Sequence, residues 1–226
     1  MHDEISRINR ERWNALVQAR VMYSQPMLDL SAESARALLD TTGTLGDVAG
    51  KQVLVLAGGG GQQSIAFALL DAEVTVYDLS DAQLAQDRQA AAHLGITLNL
   101  VHGDMRDLSA FADNSFDIVY QPYSINFVPD VRPVIHEVSR VLRPGGLYRV
   151  AWHNPFTQTV DEEKFTGEGW ILKHIYADGR FLGDLFPEWT VEDGEGGSVT
   201  LPSPREYVHT LSRMVNTLAG NGFVIL

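Results

Sequence analysis

The chain has 226 residues, 45% of them hydrophobic and 20% charged, with a net charge of −12 and no cysteine. That length suits one domain with insertions, and the missing cysteine excludes disulfides, thiolate metal sites and a cysteine nucleophile. The acidic charge, with no Lys/Arg cluster to offset it, argues against nucleic acid and for a small neutral or cationic substrate.

Residues 1–50 read as helical: Ile5, Ile8, Leu16 and Val17 share one apolar face, and Ser31 is an N-cap for a helix through Leu39. From Gln52 the pattern alternates between strand and helix. Strands are expected at Gln52–Ala57, Glu73–Asp78, Thr97–Val101, Phe116–Gln121 and Leu147–Trp152, and helices start near Gln62, Asp81 and Val131. Ser80 with Gln83 forms a capping box, Gly95 stops that helix, and Arg143-Pro144-Gly145-Gly146 breaks the next one. Repeated β-α-β units imply an α/β fold with a doubly wound parallel sheet. Residues 153–200 break the rhythm with Gly-rich patches and many rings, among them Phe156, Phe165, Trp170, Tyr176, Phe181, Phe186 and Trp189. Such a density predicts either a lid or the lining of an acceptor pocket. An amphipathic helix is expected from about Pro204, and Phe223–Leu226 starts another strand. No apolar run reaches the roughly 18 residues of a membrane span, and Met1-His2-Asp3-Glu4 lacks a secretory pattern, so the expectation is a cytoplasmic protein with no membrane partner.

The chemistry concentrates at the strand ends. After the first strand comes Ala57-Gly58-Gly59-Gly60-Gly61-Gln62, a turn whose glycines allow positive φ and close approach of a ligand to the backbone. The second strand ends in Asp78, followed by Leu79. A glycine turn and a carboxylate at these two tips are how doubly wound folds hold a nucleoside, the carboxylate on the ribose hydroxyls. A dinucleotide fingerprint needs a small third residue where this chain has Gln63 or Ser64, which argues against a nicotinamide-dependent oxidoreductase. After the third strand, Gly103-Asp104-Met105 offers a carboxylate for an exocyclic amine and a backbone N–H for a ring nitrogen, the means of reading adenine.

The ordered set of Val53–Gly61, Asp78, Gly103-Asp104-Met105, Ser115–Val119 and Val141–Gly146 resembles the class I, Rossmann-like S-adenosylmethionine-dependent methyltransferases of the small-molecule branch. The resemblance implies a seven-stranded, mostly parallel sheet. It divides the single domain into a helical cap (1–50), a cofactor-binding core (51–152), a substrate-side insertion (153–200) and a C-terminal helix and strand (201–226), the last strand being absent from the chain. It also implies that Gly58, Gly59 and Gly61 pass the methionine portion, that Asp78 binds ribose, that Asp104 and Met105 read adenine, and that Gln121 faces the sulfonium. The family's acidic residue at the first strand is replaced here by Val55, with Gln62 and Gln63 as substitutes; that loss leaves a non-catalytic S-adenosyl-ligand binder as the alternative. The reaction expected is in-line methyl transfer to a small-molecule acceptor, in which the enzyme mainly aligns the reactants and excludes water. His153 is the candidate base, with Tyr123 beside it. Tyr23, Tyr123, Asn126, His153 and Trp170 are the candidate acceptor contacts. The scattered histidines have no metal-ligand spacing.

Overall fold

A computed structural model describes residues 3–158, 160–172, 175–183, 186–194 and 196–226, with the side chains of 161–164 outside the description. In chain order the elements are α1 (Glu4–Gln18), α2 (Ala32–Leu39), β1 (Gln52–Leu56), α3 (Gln63–Ala68), β2 (Glu73–Asp78), α4 (Asp81–Leu94), β3 (Asn99–His102) and β4 (Phe116–Gln121). They continue with α5 (Arg132–Val141), β5 (Leu142–Val150), β6 (Val160–Phe165), β7 (Trp170–Leu172), β8 (Glu188–Glu192), β9 (Ser198–Pro202) and α6 (Leu211–Gly220).

Five of these strands form a parallel sheet in the order β3-β2-β1-β4-β5. Side chains alternate between its faces, and both faces are covered. Leu54, Leu56 and Val119 pack with Val134, Ile135 and Val138 of α5 and Met214 of α6. Val53, Val55, Val76 and Ile118 pack with Leu39 of α2, Phe67 of α3 and Leu84 of α4. Burial on both sides is why these strands read as continuous apolar runs. The sheet order reverses between β1 and β4, and open α/β sheets bind ligands at the carboxyl ends beside such a switch point.

Local signals placed the start of α2 and both ends of α4, but the expected capping box of Ser80 with Gln83 is only half made: Ser80 accepts the Gln83 amide (3.1 Å), while Gln83 Oε1 has no partner among the described residues. The Ser31 and Ser80 side chains cap α2 and α4, and Gly95 ends α4 with φ +67°. Four expectations need correction. The parallel sheet has five strands among the described residues, where the resemblance implied a mostly parallel seven-stranded sheet with its last strand absent from the chain. Phe223–Leu226 is irregular rather than a strand, with Phe223 half-buried against Tyr148 and Val224 to Leu226 exposed. The last helix starts at Leu211, because 204–210 run as irregular chain pinned by the Tyr207 amide on the Asn126 carbonyl (2.7 Å) and the Val208 amide on the Arg180 carbonyl (2.9 Å). Finally, Arg143–Gly146 does not stand before β5 but lies within it. The register jumps from Phe116↔Leu142 to Ile118↔Leu147, and the extra residues bulge out. Gly145 takes φ +79° in that bulge, and a Cβ on Gly146 would sit 3.0 Å from the Asp117 carbonyl oxygen.

The insertion forms two antiparallel hairpins, β6–β7 and β8–β9. No helix of the described residues is long and apolar enough to cross a membrane.

Candidate functional site

The first loop is held from two sides by buried carboxylates. Toward this loop β1 offers nothing polar, since Val53 to Leu56 are fully buried apolar side chains. Ala57 turns the chain with φ +49°, and Gly60 and Gly61 continue at +112° and +75°. From β2, Asp78 accepts the Gly59 amide at 2.9 Å and the Ser80 amide at 2.8 Å. From α4, Asp87 accepts the Gly60 amide at 2.8 Å, the Gly61 amide at 3.1 Å and the Ser64 hydroxyl. A Cβ on Gly59 would lie 2.8 Å from Gln83 Cβ and 3.1 Å from an Asp78 oxygen, so glycine is what lets this loop reach its carboxylate. Burial pushes the pKa of Asp78 up, and pushes Asp87 up to about 6 in spite of the donors around it. Sequence reasoning found Asp78 and missed Asp87. The available signal was an acid three residues after Leu84 and three before Ala90, on the buried face of α4.

A cavity of about 530 Å³ opens over the carboxyl ends of β1 to β4. Of the expected residues, Ala57, Gly58, Gly59, Gln62, Asp78, Leu79, Gly103, Asp104, Met105, Tyr23 and Tyr123 line it. Gly61 does not; its α-carbon faces Pro26 and Ala90. Gln121 is fully buried instead of facing the cavity. Its amide donates to Met105 Sδ (3.2 Å) and Ser124 Oγ (3.1 Å), and it accepts from the Tyr148 hydroxyl. Asn126 is likewise buried, donating to the Tyr207 carbonyl and accepting the His153 amide. His153 stands behind Tyr123, off the cavity wall. Trp170 is 55% exposed on the β6–β7 hairpin, against Phe165.

The wall holds further groups. Gln83 lines it, and its buried Oε1 has no hydrogen-bond partner among the described residues. α1 contributes Ser6, Asn9 and Trp13, and the β8–β9 hairpin contributes Trp189. Phe127 joins these rings, with centroids 5.3 Å from Trp13 and 6.4 Å from Trp189. Asp104 is engaged rather than open. It accepts the Ser6 hydroxyl at 2.6 Å and Arg106 through its amide (2.9 Å), Nε (3.0 Å) and Nη2 (2.6 Å). Burial raises its pKa, but the Arg106 and Ser6 hydrogen bonds outweigh that and hold it low. Arg106 also binds Asp3, the N-cap of α1, and so ties that helix over the cavity.

Tyr123 donates to Glu206, which also accepts Gln158 Nε2 at 3.0 Å. A phenol has one proton, so at 3.2 Å the His153 Nδ1 is the donor toward the Tyr123 oxygen. Burial and the Glu206 charge push the Tyr123 pKa far above the ordinary phenol value, and burial raises Glu206. Tyr123 is therefore a neutral hydrogen-bonding group. Glu206 carried no motif; only the fold brings it 83 residues back to Tyr123.

The uncharacterized methyltransferase YbaJ of Bacillus subtilis is 36% identical over 180 residues, 79% of this chain and 68% of that protein. The chain belongs to the class I S-adenosylmethionine-dependent methyltransferases. A methyltransferase domain family matches residues 54–150 of this methyltransferase. Demethylmenaquinone methyltransferase of Clavibacter sepedonicus is 38% identical over 106 residues, 47% of this chain and 42% of that protein. In fold, the chain is similar to an S-adenosylmethionine-dependent methyltransferase from Mesorhizobium loti, with TM-score 0.60, 23% identity, and 88% and 84% of the two chains covered. Its cofactor is S-adenosylmethionine.

Proposed function

We propose that this methyltransferase acts on a small acceptor with an apolar, ring-bearing body, held among the aromatic side chains on the β4 side of the cavity. One observation carries the reading: a single cavity crosses the strand ends in the order β3, β2, β1, β4. A ligand laid along it meets Gly103–Met105 first, Asp78 second, the glycine loop third and Tyr123 last. That order suits adenine, ribose, methionine chain and acceptor in turn. S-adenosylmethionine supplies a methyl group already activated on its sulfonium.

The residues present fit it. Asp78 would accept from the ribose hydroxyls, and the unpartnered Gln83 Oε1 is a second acceptor on the same wall. The Met105 amide would donate to the adenine ring. The Asp104 carboxylate, accepting from Ser6 and Arg106 at both oxygens, would reach the exocyclic amine only where one of those donors yields. Gln62 lines the methionine end, while Gly61 and Gln121 support the wall from behind.

On the acceptor side, Trp13, Tyr23, Phe127 and Trp189 give apolar area, and Tyr123 gives one hydroxyl to position a polar atom. Glu206 and His153 would orient that hydroxyl. The net charge of −12 favours neutral or cationic acceptors over nucleic acid. A relative named for methylating demethylmenaquinone supports an acceptor of this kind. The test is formation of S-adenosylhomocysteine from S-adenosylmethionine with a panel of acceptors. Turnover should appear with hydroxylated apolar ring compounds and not with nucleosides or acidic amino acids. Equal turnover on the nucleosides or the acidic amino acids would overturn the acceptor assignment.

A further inference from the structure

Asp87 is a carboxylate with none of its surface exposed, inside a helix, 26 and 27 residues from the amides it binds. A carboxylate in such a place is costly unless donors surround it. It takes three donors, and all come from one short stretch: Gly60, Gly61 and Ser64, the end of the glycine loop and the first turn of α3. The nearest charged group facing it is Asp78, which repels it and helps raise its pKa. Two like charges are thus kept close together, with the loop between them. Burial of an apolar side chain at 87 would relieve that repulsion, but would leave two amides of a positive-φ loop without acceptors. β1 cannot replace it, because Val55 and its neighbours are buried hydrocarbon.

We propose that Asp87 is the positioning residue that fixes the glycine loop in the shape that receives the methionine end of S-adenosylmethionine. The proposal rests on the cofactor placement given above. Asp78 holds the near side of the loop at Gly59, beside the ribose position, and Asp87 holds the far side, beyond which the amino-acid portion of the ligand would lie. Because Gly60 and Gly61 already donate to Asp87, their amides are not the ones that meet the ligand carboxylate. Their role is to hold Gly58, Gly59 and Gln62 where those residues line the cavity.

The two ends of the ligand separate this role from general support of the fold. S-adenosylhomocysteine carries the amino-acid portion, whereas 5′-methylthioadenosine keeps adenine and ribose and lacks it. Calorimetric titration of the full-length chain with both should show Asp87→Asn weakening S-adenosylhomocysteine by about tenfold or more, the size of a lost charge-assisted hydrogen bond. Its affinity for 5′-methylthioadenosine should stay within about twofold of wild type. An unchanged affinity for both ligands would overturn the proposal, and so would an equal loss for both. If Asp87→Asn does not fold, Ser64→Ala decides. It keeps the carboxylate and removes one donor, so a loss confined to S-adenosylhomocysteine supports the proposal and none overturns it. Wild-type protein that binds neither ligand would instead overturn the cofactor placement, an outcome distinct from a variant that binds like wild type.

Discussion

The two ends of the cavity are built differently. At the β1–β3 end the carboxylates are matched by short, buried or half-buried hydrogen bonds: Asp78 and Asp87 on the loop amides, Asp104 on Arg106 and Ser6. At the insertion end the rings are largely uncovered. Phe156, Phe165 and Trp170 are about half exposed or more, and β6–β7 has its own two-stranded pairing away from the main sheet. Among the described residues, Trp189 alone of the insertion's rings reaches the cavity wall. The difference fits the division of labour. One invariant ligand calls for a fixed, pre-organised wall, whereas an acceptor must enter and leave past whatever covers it.

The comparison is broken most directly by truncating a ring at each end. Phe67 is fully buried under the sheet, and Phe67→Ala should cost about 3–5 kcal/mol in urea unfolding. Phe165, 58% exposed, should cost under roughly 0.5 kcal/mol as Phe165→Ala. A large loss from Phe165→Ala would mean that the hairpin is core.

The acid at α4 gives a pH signature. Asp87 holds its proton more tightly in the folded state (pKa about 6) than in the unfolded chain. The sign follows: stability is highest with the proton bound and falls as pH rises from about 4 to about 6, by at most roughly 3 kcal/mol for this group. Asp78, also raised by burial, adds its own part of the slope. Urea midpoints at pH 4 to 7 should therefore flatten in Asp87→Asn, and an identical slope in variant and wild type would remove Asp87 from the cause.

Asp78→Ala should weaken S-adenosylhomocysteine binding by about 2–3 kcal/mol, through loss of a desolvated charged acceptor, as read by calorimetry. The insertion end is sharpened by a pair of variants. Trp189→Ala should raise the acceptor KM by about tenfold while the S-adenosylhomocysteine Kd stays put, whereas Trp170→Ala should move neither. Equal effects of the two would erase the distinction between wall and outlying hairpin. The smallest effect is at Ala57, whose φ of +49° suits glycine; Ala57→Gly should change stability by no more than about 1 kcal/mol, in the stabilising direction, as a rise in Tm.

Much of the β1–β3 end of the cavity was legible because its signals are local. A β-prone run followed by glycines, a carboxylate at the next strand tip, and Gly103-Asp104-Met105 after the third all fall within short stretches, and backbone geometry turns each into a wall residue. Caps at Ser31, Ser80 and Gly95 were legible for the same reason. The acceptor end was less so. Asn126 and His153 had suitable chemistry, but which way a loop side chain faces is set by partners far along the chain, here Tyr207 and Tyr123; Trp170 instead pairs with Phe165 across its own hairpin.

By itself, then, the sequence determined the alternation of strands and helices, the glycine loop and the acid that meets it, because spacing and residue type fix those within a few turns of chain. The tertiary structure alone decided that Asp87 closes the loop from α4, that Gln121 turns into the core, that Glu206 accepts the Tyr123 hydroxyl, and that Trp189 faces the cavity while Trp170 does not. Each of those depends on contacts across tens of residues, where burial and hydrogen-bond satisfaction, rather than local propensity, set the outcome.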